Sequence, residues 1–289
     1  MQLTPTLQDF PDELLRIRDL TIVFPKTAPG SPAVNNVSVT MRQGQTLGLV
    51  GESGSGKSTV CLAIMGLTPP GTTVTGEVSY RGVNLLELPE RQLRARRGKD
   101  IGLVCQDPMA ALNPVKTIGA QLREPLRLHL NMSRKAADAR AVEVLERVGI
   151  QTAREKLGAY PHEFSGGMRQ RVVIAMAISC NPGFIIADKP TTALDVSVRA
   201  QVLDLLQDLS EDLGIALLLV SHDLSVVAGL ASDVAVVHYG ELVEYGQVHQ
   251  VFNEPRHPYT VELLNRVREI EDSTDHATVN IRGVDSASR

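Results

Sequence analysis

Nine consecutive residues, Gly51-Glu-Ser-Gly-Ser-Gly56-Lys57-Ser58-Thr59, carry the most specific chemistry in the chain. They match G-x-x-x-x-G-K-[ST], in which glycines let the backbone curl so that successive N–H groups face phosphate oxygens. The loop stands between an apolar run, Thr46–Val50, and a helix that should start near Lys57 and stop by Gly66. The partial positive charge of that helix N-terminus adds to the amides. Gly51, Ser53, Gly54, Ser55, Gly56 and Thr59 are the expected cradle, Lys57 the cation reaching the β/γ-phosphates, and Ser58 the hydroxyl on Mg²⁺. The pattern in this setting implies binding of a nucleoside triphosphate. Asp188 ends the apolar run Phe184–Ala187, so its carboxylate should emerge at the C-terminal edge of a sheet, where α/β folds bind ligands. On its own it is a solvated strand-end Asp; beside the loop it becomes the second Mg²⁺ partner, acting through water.

The elements that must hold these groups follow from periodicity. Leu14–Phe24, Ala33–Met41, Gly76–Tyr80, Ile101–Cys105, Ile215–Ser221 and Val234–His238 read as strands, with a Pro/Gly-rich loop over Pro25–Pro32. From Asp107 to about Asn181 the pattern is helical: Ser133 is an N-cap, Ala137, Ala141, Val144 and Val148 recur at helical spacing, and Gly149 stops the run. A further helix begins at Gly166, and another places Val198, Val202, Leu205, Leu209 and Leu213 on one face before Gly214. Strands alternating with helices predict a mainly parallel sheet. The expected division is a discontinuous nucleotide-binding core over 13–106 and 182–250, a helical subdomain over 107–181, and a C-terminal extension over 251–289. Residues 271–289 are polar and unpatterned and read as a mobile tail.

Composition removes other classes. The chain has 289 residues, 29 Lys+Arg against 33 Asp+Glu (net −4), 43% hydrophobic and 21% charged residues, an ordinary globular balance. That slightly acidic total gives no footprint for nucleic acid. The basic run Arg91, Arg94, Arg96, Arg97, Lys99 therefore reads as a solvated helix face. With 3% aromatics and no Trp the core must be aliphatic. Cys61, Cys105 and Cys180 lack metal or disulfide spacing and read as buried small hydrophobes. The start, MQLTPTLQDFPDELL, has neither a basic nor an apolar leader region, so no signal peptide is expected, and no apolar run approaches a bilayer span.

Between Asp107 and Asp195 the motifs become particular. Tyr160-Pro-His-Glu-Phe-Ser165-Gly166-Gly167-Met168-Arg-Gln-Arg171 resembles the signature of ATP-binding-cassette (ABC) ATPases. With it come a Q-loop at Gln106, a D-loop at Ala193-Leu194-Asp195 and a switch histidine at His222. Gln106-Asp-Pro-Met-Ala-Ala-Leu-Asn-Pro114 and Pro255-Arg-His257-Pro258-Tyr259-Thr260 resemble the dipeptide/oligopeptide/nickel importer branch, in which Met168 in place of the more general Gln is familiar. The resemblance implies a RecA-like P-loop core with an antiparallel β portion and an inserted helical subdomain. It implies ATP and Mg²⁺ as ligands, with Ser58, Gln106 and Asp188 around the metal and His222 on the γ-phosphate. Phe24 is either an aromatic stacked on adenine or a core strand residue. Ser165, Gly166, Gly167 and Met168 would act in trans on a second ATPase subunit's nucleotide, with Ser165 opening an anion-binding helix. Two integral-membrane permeases and an extracytoplasmic solute-binding protein are the other implied partners, and the location is the cytoplasmic face of the cell (inner) membrane. Relatives often carry a cysteine cluster after the HPYT segment that binds an iron–sulfur centre; residues 261–289 contain no Cys, so no such cluster is expected.

One residue departs from the pattern. Lys189 follows Asp188 where ABC ATPases usually place the glutamate that polarises the attacking water. An ammonium has three donors and no acceptor, so it cannot serve as that base. A charged Lys189 against the γ-phosphate would favour bound ATP over turnover. The expectation is a site that binds ATP and hydrolyses it poorly, beside a paralogous partner with an intact glutamate. An engineered substitution, or a side chain turned away from the nucleotide, are the alternatives. As whole-chain readings, a soluble subunit of a carbon–phosphorus-lyase-type complex and a binding-only regulatory subunit stand beside the importer. The transported solute is not encoded in these motifs.

Overall fold

The computed structural model describes residues 12–25, 31–192 and 194–266. Among the described residues ten strands form two sheets. The smaller is antiparallel, in the order β2 (Val34–Arg42), β1 (Glu13–Val23), β4 (Thr73–Tyr80), β5 (Val83–Asn84). The larger runs β10 (Glu241–Gln247), β9 (Asp233–His238), β3 (Thr46–Val50), β8 (Ala216–Ser221), β7 (Phe184–Asp188), β6 (Ile101–Val104). Its strands β9 to β6 are parallel, and β10 adds an antiparallel edge. The four central strands are apolar along almost their whole length, as expected of a parallel sheet covered on both faces.

The helices are α1 (Lys57–Ile64), α2 (Glu90–Arg96), α3 (Pro108–Ala111), α4 (Ile118–Leu130), α5 (Arg134–Arg147), α6 (Ala153–Lys156), α7 (Gly166–Ile178), α8 (Val196–Leu213), α9 (Leu224–Leu230) and α10 (Val248–Asn253). The whole set α3 to α7 lies between β6 and β7, and residues 258–266 are again helical. Ser133 caps α5, its Oγ accepting the Ala136 N–H at 3.3 Å. One apolar cluster fills the space between the two sheets and takes in α1; the other joins the large sheet to the helices between β6 and β7 and to α8. Both are overwhelmingly aliphatic, with Tyr80, Phe164, Phe184 and Tyr259 as their buried aromatics.

Several expectations need correction. The β10 strand was not apparent in the sequence, because Glu241–Gln247 lacks alternation: its middle five residues are all half-buried and its two ends exposed. Its cause lies in the preceding turn, where Tyr239 and Gly240 both have positive φ (46° and 83°) and return the chain antiparallel along β9. Arg97 is not part of a solvated face. Its guanidinium donates to the carbonyls of Met65 (2.6 Å) and Gly66 (2.8 Å) just after α1 and pairs with Glu90. Cys61 and Cys180 are buried, but Cys105 is only half-buried, its thiol lying 3.6 Å from the Asp107 carbonyl. On α8 the buried positions include Leu206 as well as Val202 and Leu209, while Val198, Leu205 and Leu213 are partly covered. Residues 26–30, Ala193 and the expected tail 271–289 lie outside the described residues. No helix among the described residues is long and apolar enough to cross a membrane.

Candidate nucleotide site

Parallel register gathers the candidate groups at one edge. Val50 is level with Ser221, Asp188 with Val220, and Val104 with Ala187. Gly51, His222 and Gln106 therefore leave β3, β8 and β6 on the same side as Asp188. Gln106 and His222 are both exposed there. Phe24 sits just beyond β1, on the other sheet, and is half-buried.

The loop between β3 and α1 is shaped by contacts that exclude side chains. A Cβ on Gly51 (φ 147°) would stand 2.1 Å from the Val237 carbonyl oxygen. Gly54 and Gly56 also have positive φ (85° and 98°), and Gly56 opens α1 without a side-chain cap, leaving the first amides of the helix directed at the loop. Lys57 is buried inside this curl. Its Nζ donates to the carbonyls of Gly51 (2.8 Å) and Glu52 (2.7 Å) and to Ser55 Oγ (3.1 Å). Burial, and then the like charge of Lys189, hold the Lys57 ammonium down to about 8 from an ordinary 10.5, against the opposing pull of Asp188.

That value sets a pH dependence. A triphosphate beside Lys57 favours the charged form, so its pKa rises on binding. Between the free value of about 8 and the higher bound value, binding must take up a proton. Below that window this group leaves affinity flat; within it the apparent Kd for ATP should rise up to about tenfold per pH unit. Equilibrium titrations at stepped pH check this, and Lys189→Glu should move the inflection to higher pH. An affinity that stays flat through the same window would contradict the placement of Lys57 at the phosphates.

Across the head of the loop, Ser58 Oγ donates to Asp188 Oδ1 at 3.0 Å. Asp188 is half-buried at the end of β7. One hydroxyl and one carboxylate are a hard-oxygen pair suited to Mg²⁺, which keeps several waters and takes phosphate oxygens rather than a full protein cage. No group of three or more His, Cys, Asp or Glu side chains that could hold a metal occurs among the described residues. Lys189, next in sequence, has φ 49°; its N–H donates to the Val220 carbonyl at 3.0 Å and its carbonyl accepts from Thr192 N and Oγ1. The backbone at Lys189 is thus pinned from both sides. No carboxylate among the described residues pairs with its ammonium, whose charge is instead felt by Lys57.

The signature segment is built separately. Ser165 caps α7 by accepting the Met168 N–H at 3.3 Å; Ser165 and Gly166 are exposed, Gly167 and Met168 half-buried. A Cβ on Gly167 would stand 2.6 Å from Val198 Cγ1, so a residue without a side chain is what lets α7 approach α8. Asp195 is the exposed N-cap residue of α8 and makes no side-chain capping bond. Among the described residues no hydrogen bond or ion pair joins 165–168 to the loop at 51–59. The fold therefore brings together the loop, Asp188 and Lys189, and leaves the signature facing outward.

Sequence reasoning missed one set of contacts with the loop. Tyr259, from the HPYT segment, accepts the Glu52 N–H at 3.0 Å, and Arg266 pairs with the Glu52 carboxylate. The HPYT wording was the only signal, and it carries no spacing that points to residue 52.

Comparisons with known proteins identify the family. The profile of the family described as ABC transporter matches residues 34–192. A putative peptide import ATP-binding protein of Brucella abortus is 49% identical over 269 residues, 91% of this chain and 80% of its own length. The oligopeptide transport ATP-binding protein OppD of Escherichia coli is 45% identical over 267 residues, covering 92% of this chain and 79% of its own. Among solved structures, a dimeric ATP-binding cassette in a post-hydrolysis state with ADP and Pi superposes with a TM-score of 0.72 at 29% identity, over 81% of this chain and 99% of that one. With the family profile matching more than half of the chain and relatives 45–49% identical over most of it, the chain belongs to the ABC transporter family.

Proposed function

We propose that this chain is the ATP-binding subunit of an importer for peptides or related small solutes, and that the site on its own loop holds ATP better than it hydrolyses it. The observation that carries the nucleotide reading is the 3.0 Å approach of Ser58 to Asp188 beside the buried Lys57 ammonium. The importer reading is supported by 45–49% identity over most of the chain to ATP-binding proteins named for peptide import and oligopeptide transport.

In this reading the loop amides and Lys57 bind the β/γ-phosphates. Ser58 and Asp188, with Gln106 at the same edge, hold Mg²⁺, which when bound neutralises phosphate charge. Phe24 stacks on adenine, and His222 orients the γ-phosphate from the end of β8. Lys189 adds a second cation beside Lys57, which favours the charged ground state but offers no lone pair to a water. Ser165–Met168, facing outward, with Asp195 at the start of the helix α8 that Gly167 packs against, completes the site of a paralogous ATPase that keeps its glutamate. The units proposed are the nucleotide-binding core, the helical subdomain over 107–181, and the extension from 251. Through the second of these the pair docks beneath two permeases at the cytoplasmic face of the inner membrane, while an external binding protein delivers the solute.

Purification of the native assembly from membranes is expected to bring with it two integral-membrane proteins and a second cassette. Deletion of the chain should abolish uptake of the peptides that the system carries, with recovery on re-expression. Isolation of the chain with soluble enzymes alone would instead favour a metabolic complex of the carbon–phosphorus-lyase type.

A further inference from the structure

The loop's second residue makes an unusual commitment. The Glu52 N–H does not point into the phosphate cradle but donates to the Tyr259 hydroxyl at 3.0 Å, from a residue 207 positions away. Tyr259 is itself held. Its ring stacks on His238 at 3.7 Å and 15°, its N–H donates to His257 Nδ1, and it sits in the large apolar cluster with Leu263 and Leu264. The segment around it is tied to β10, because the N–H groups of Arg256 and His257 both donate to the Glu244 carboxylate. The turn after β9 holds the loop at a second point, where Gly240 N–H donates to the Ser55 carbonyl at 3.1 Å.

We propose that Tyr259 is a positioning residue for ATP binding: its hydroxyl fixes the first half of the phosphate loop, so that the C-terminal segment sets the loop's affinity for nucleotide. The proposal rests on the reading of residues 51–59 as the nucleotide site. A phosphate cradle works only if its amides already converge before the anion arrives, since ordering them on binding reduces affinity. With the Glu52 amide pinned outward and the Ser55 carbonyl held by Gly240, the loop is fixed at two points about which its remaining amides curl inward. The Arg266–Glu52 ion pair lies at the same place but is exposed, and an exposed pair contributes little. The hydroxyl is therefore the group that matters.

Tyr259→Phe tests this in the full chain and in the assembled complex. It keeps the ring stack and removes only the acceptor. The Kd of this chain's own loop for ATP, measured by equilibrium titration, should rise about 3–10-fold, the range expected for one lost acceptor to a part-buried amide, while kcat of the complex at saturating ATP stays within about twofold. Deuterium uptake of the peptide containing Glu52, measured without nucleotide, should increase while that of β3 and α1 stays native. The melting temperature should remain within about 2 °C of native, because the packing is retained. A native Kd with native uptake at the loop overturns the proposal. So does a rise in Kd that comes with a proportionate fall in melting temperature, which would make Tyr259 a core residue only. Tyr259→Ala also removes the stack and should exceed the Phe variant in both readouts. Failure of the native chain to bind ATP would overturn the nucleotide reading, and the nucleotide-free exchange measurement would still report whether the brace exists.

Discussion

Lys189→Glu is expected to raise turnover at this chain's own site by about 10²–10⁴-fold, the usual contribution of a positioned general base. The rise should be visible as steady-state ATPase activity in a complex whose other site has been silenced by mutation. The substitution is well suited to the question, because the turn at residue 189 is held by backbone bonds to Val220 and Thr192 that any side chain leaves in place. Local shape should therefore survive while the chemistry changes from donor to acceptor. The change also removes a like charge beside Lys57, so ATP binding at pH 7 should persist and its alkaline limit should move upward. Unchanged turnover, with ATP still bound and the complex intact, would mean that the site is limited by something other than Lys189. The reading of an asymmetric pair would then lose its basis.

Gly51→Ala is expected to weaken ATP binding by about 10²-fold or more, comparable to losing one or two charge-assisted amide contacts. The added Cβ would stand 2.1 Å from the Val237 carbonyl oxygen and 2.9 Å from Ser55 Oγ, at φ 147°. Strand β9 cannot withdraw, being paired with β3 on one side and β10 on the other. The loop must move instead, carrying its amides out of register. Gly54→Ala is the informative contrast, since a Cβ there meets nothing within 4 Å and only the φ of 85° opposes it. It should cost about 1–2 kcal/mol, near tenfold in affinity. Calorimetric titration of ATP into both variants separates the two causes. Equal effects would point to backbone freedom alone, and the packing argument for Gly51 would fail.

Much of this molecule is legible without its tertiary structure wherever the determinant is local. Thr46–Val50 as a strand, Lys57 as a helix start, Ser133 and Ser165 as caps and Asp188 at a strand end follow from periodicity, capping chemistry and the reach of a few residues. The parallel sheet follows too, because strands alternating with helices leave few other arrangements. The same local reading fails where a partner far along the chain decides the outcome. β10 exists because a turn with two positive-φ residues lays it against β9, although its own residues show no strand pattern. Arg97 looks like a surface cation until α2 brings it to the carbonyls after α1. The influence of Lys189 on Lys57 and the hold of Tyr259 on Glu52 join residues far apart in sequence. Hydrogen bonds and charges act over a few ångströms in space, and only the folded chain determines which distant residues come within that range.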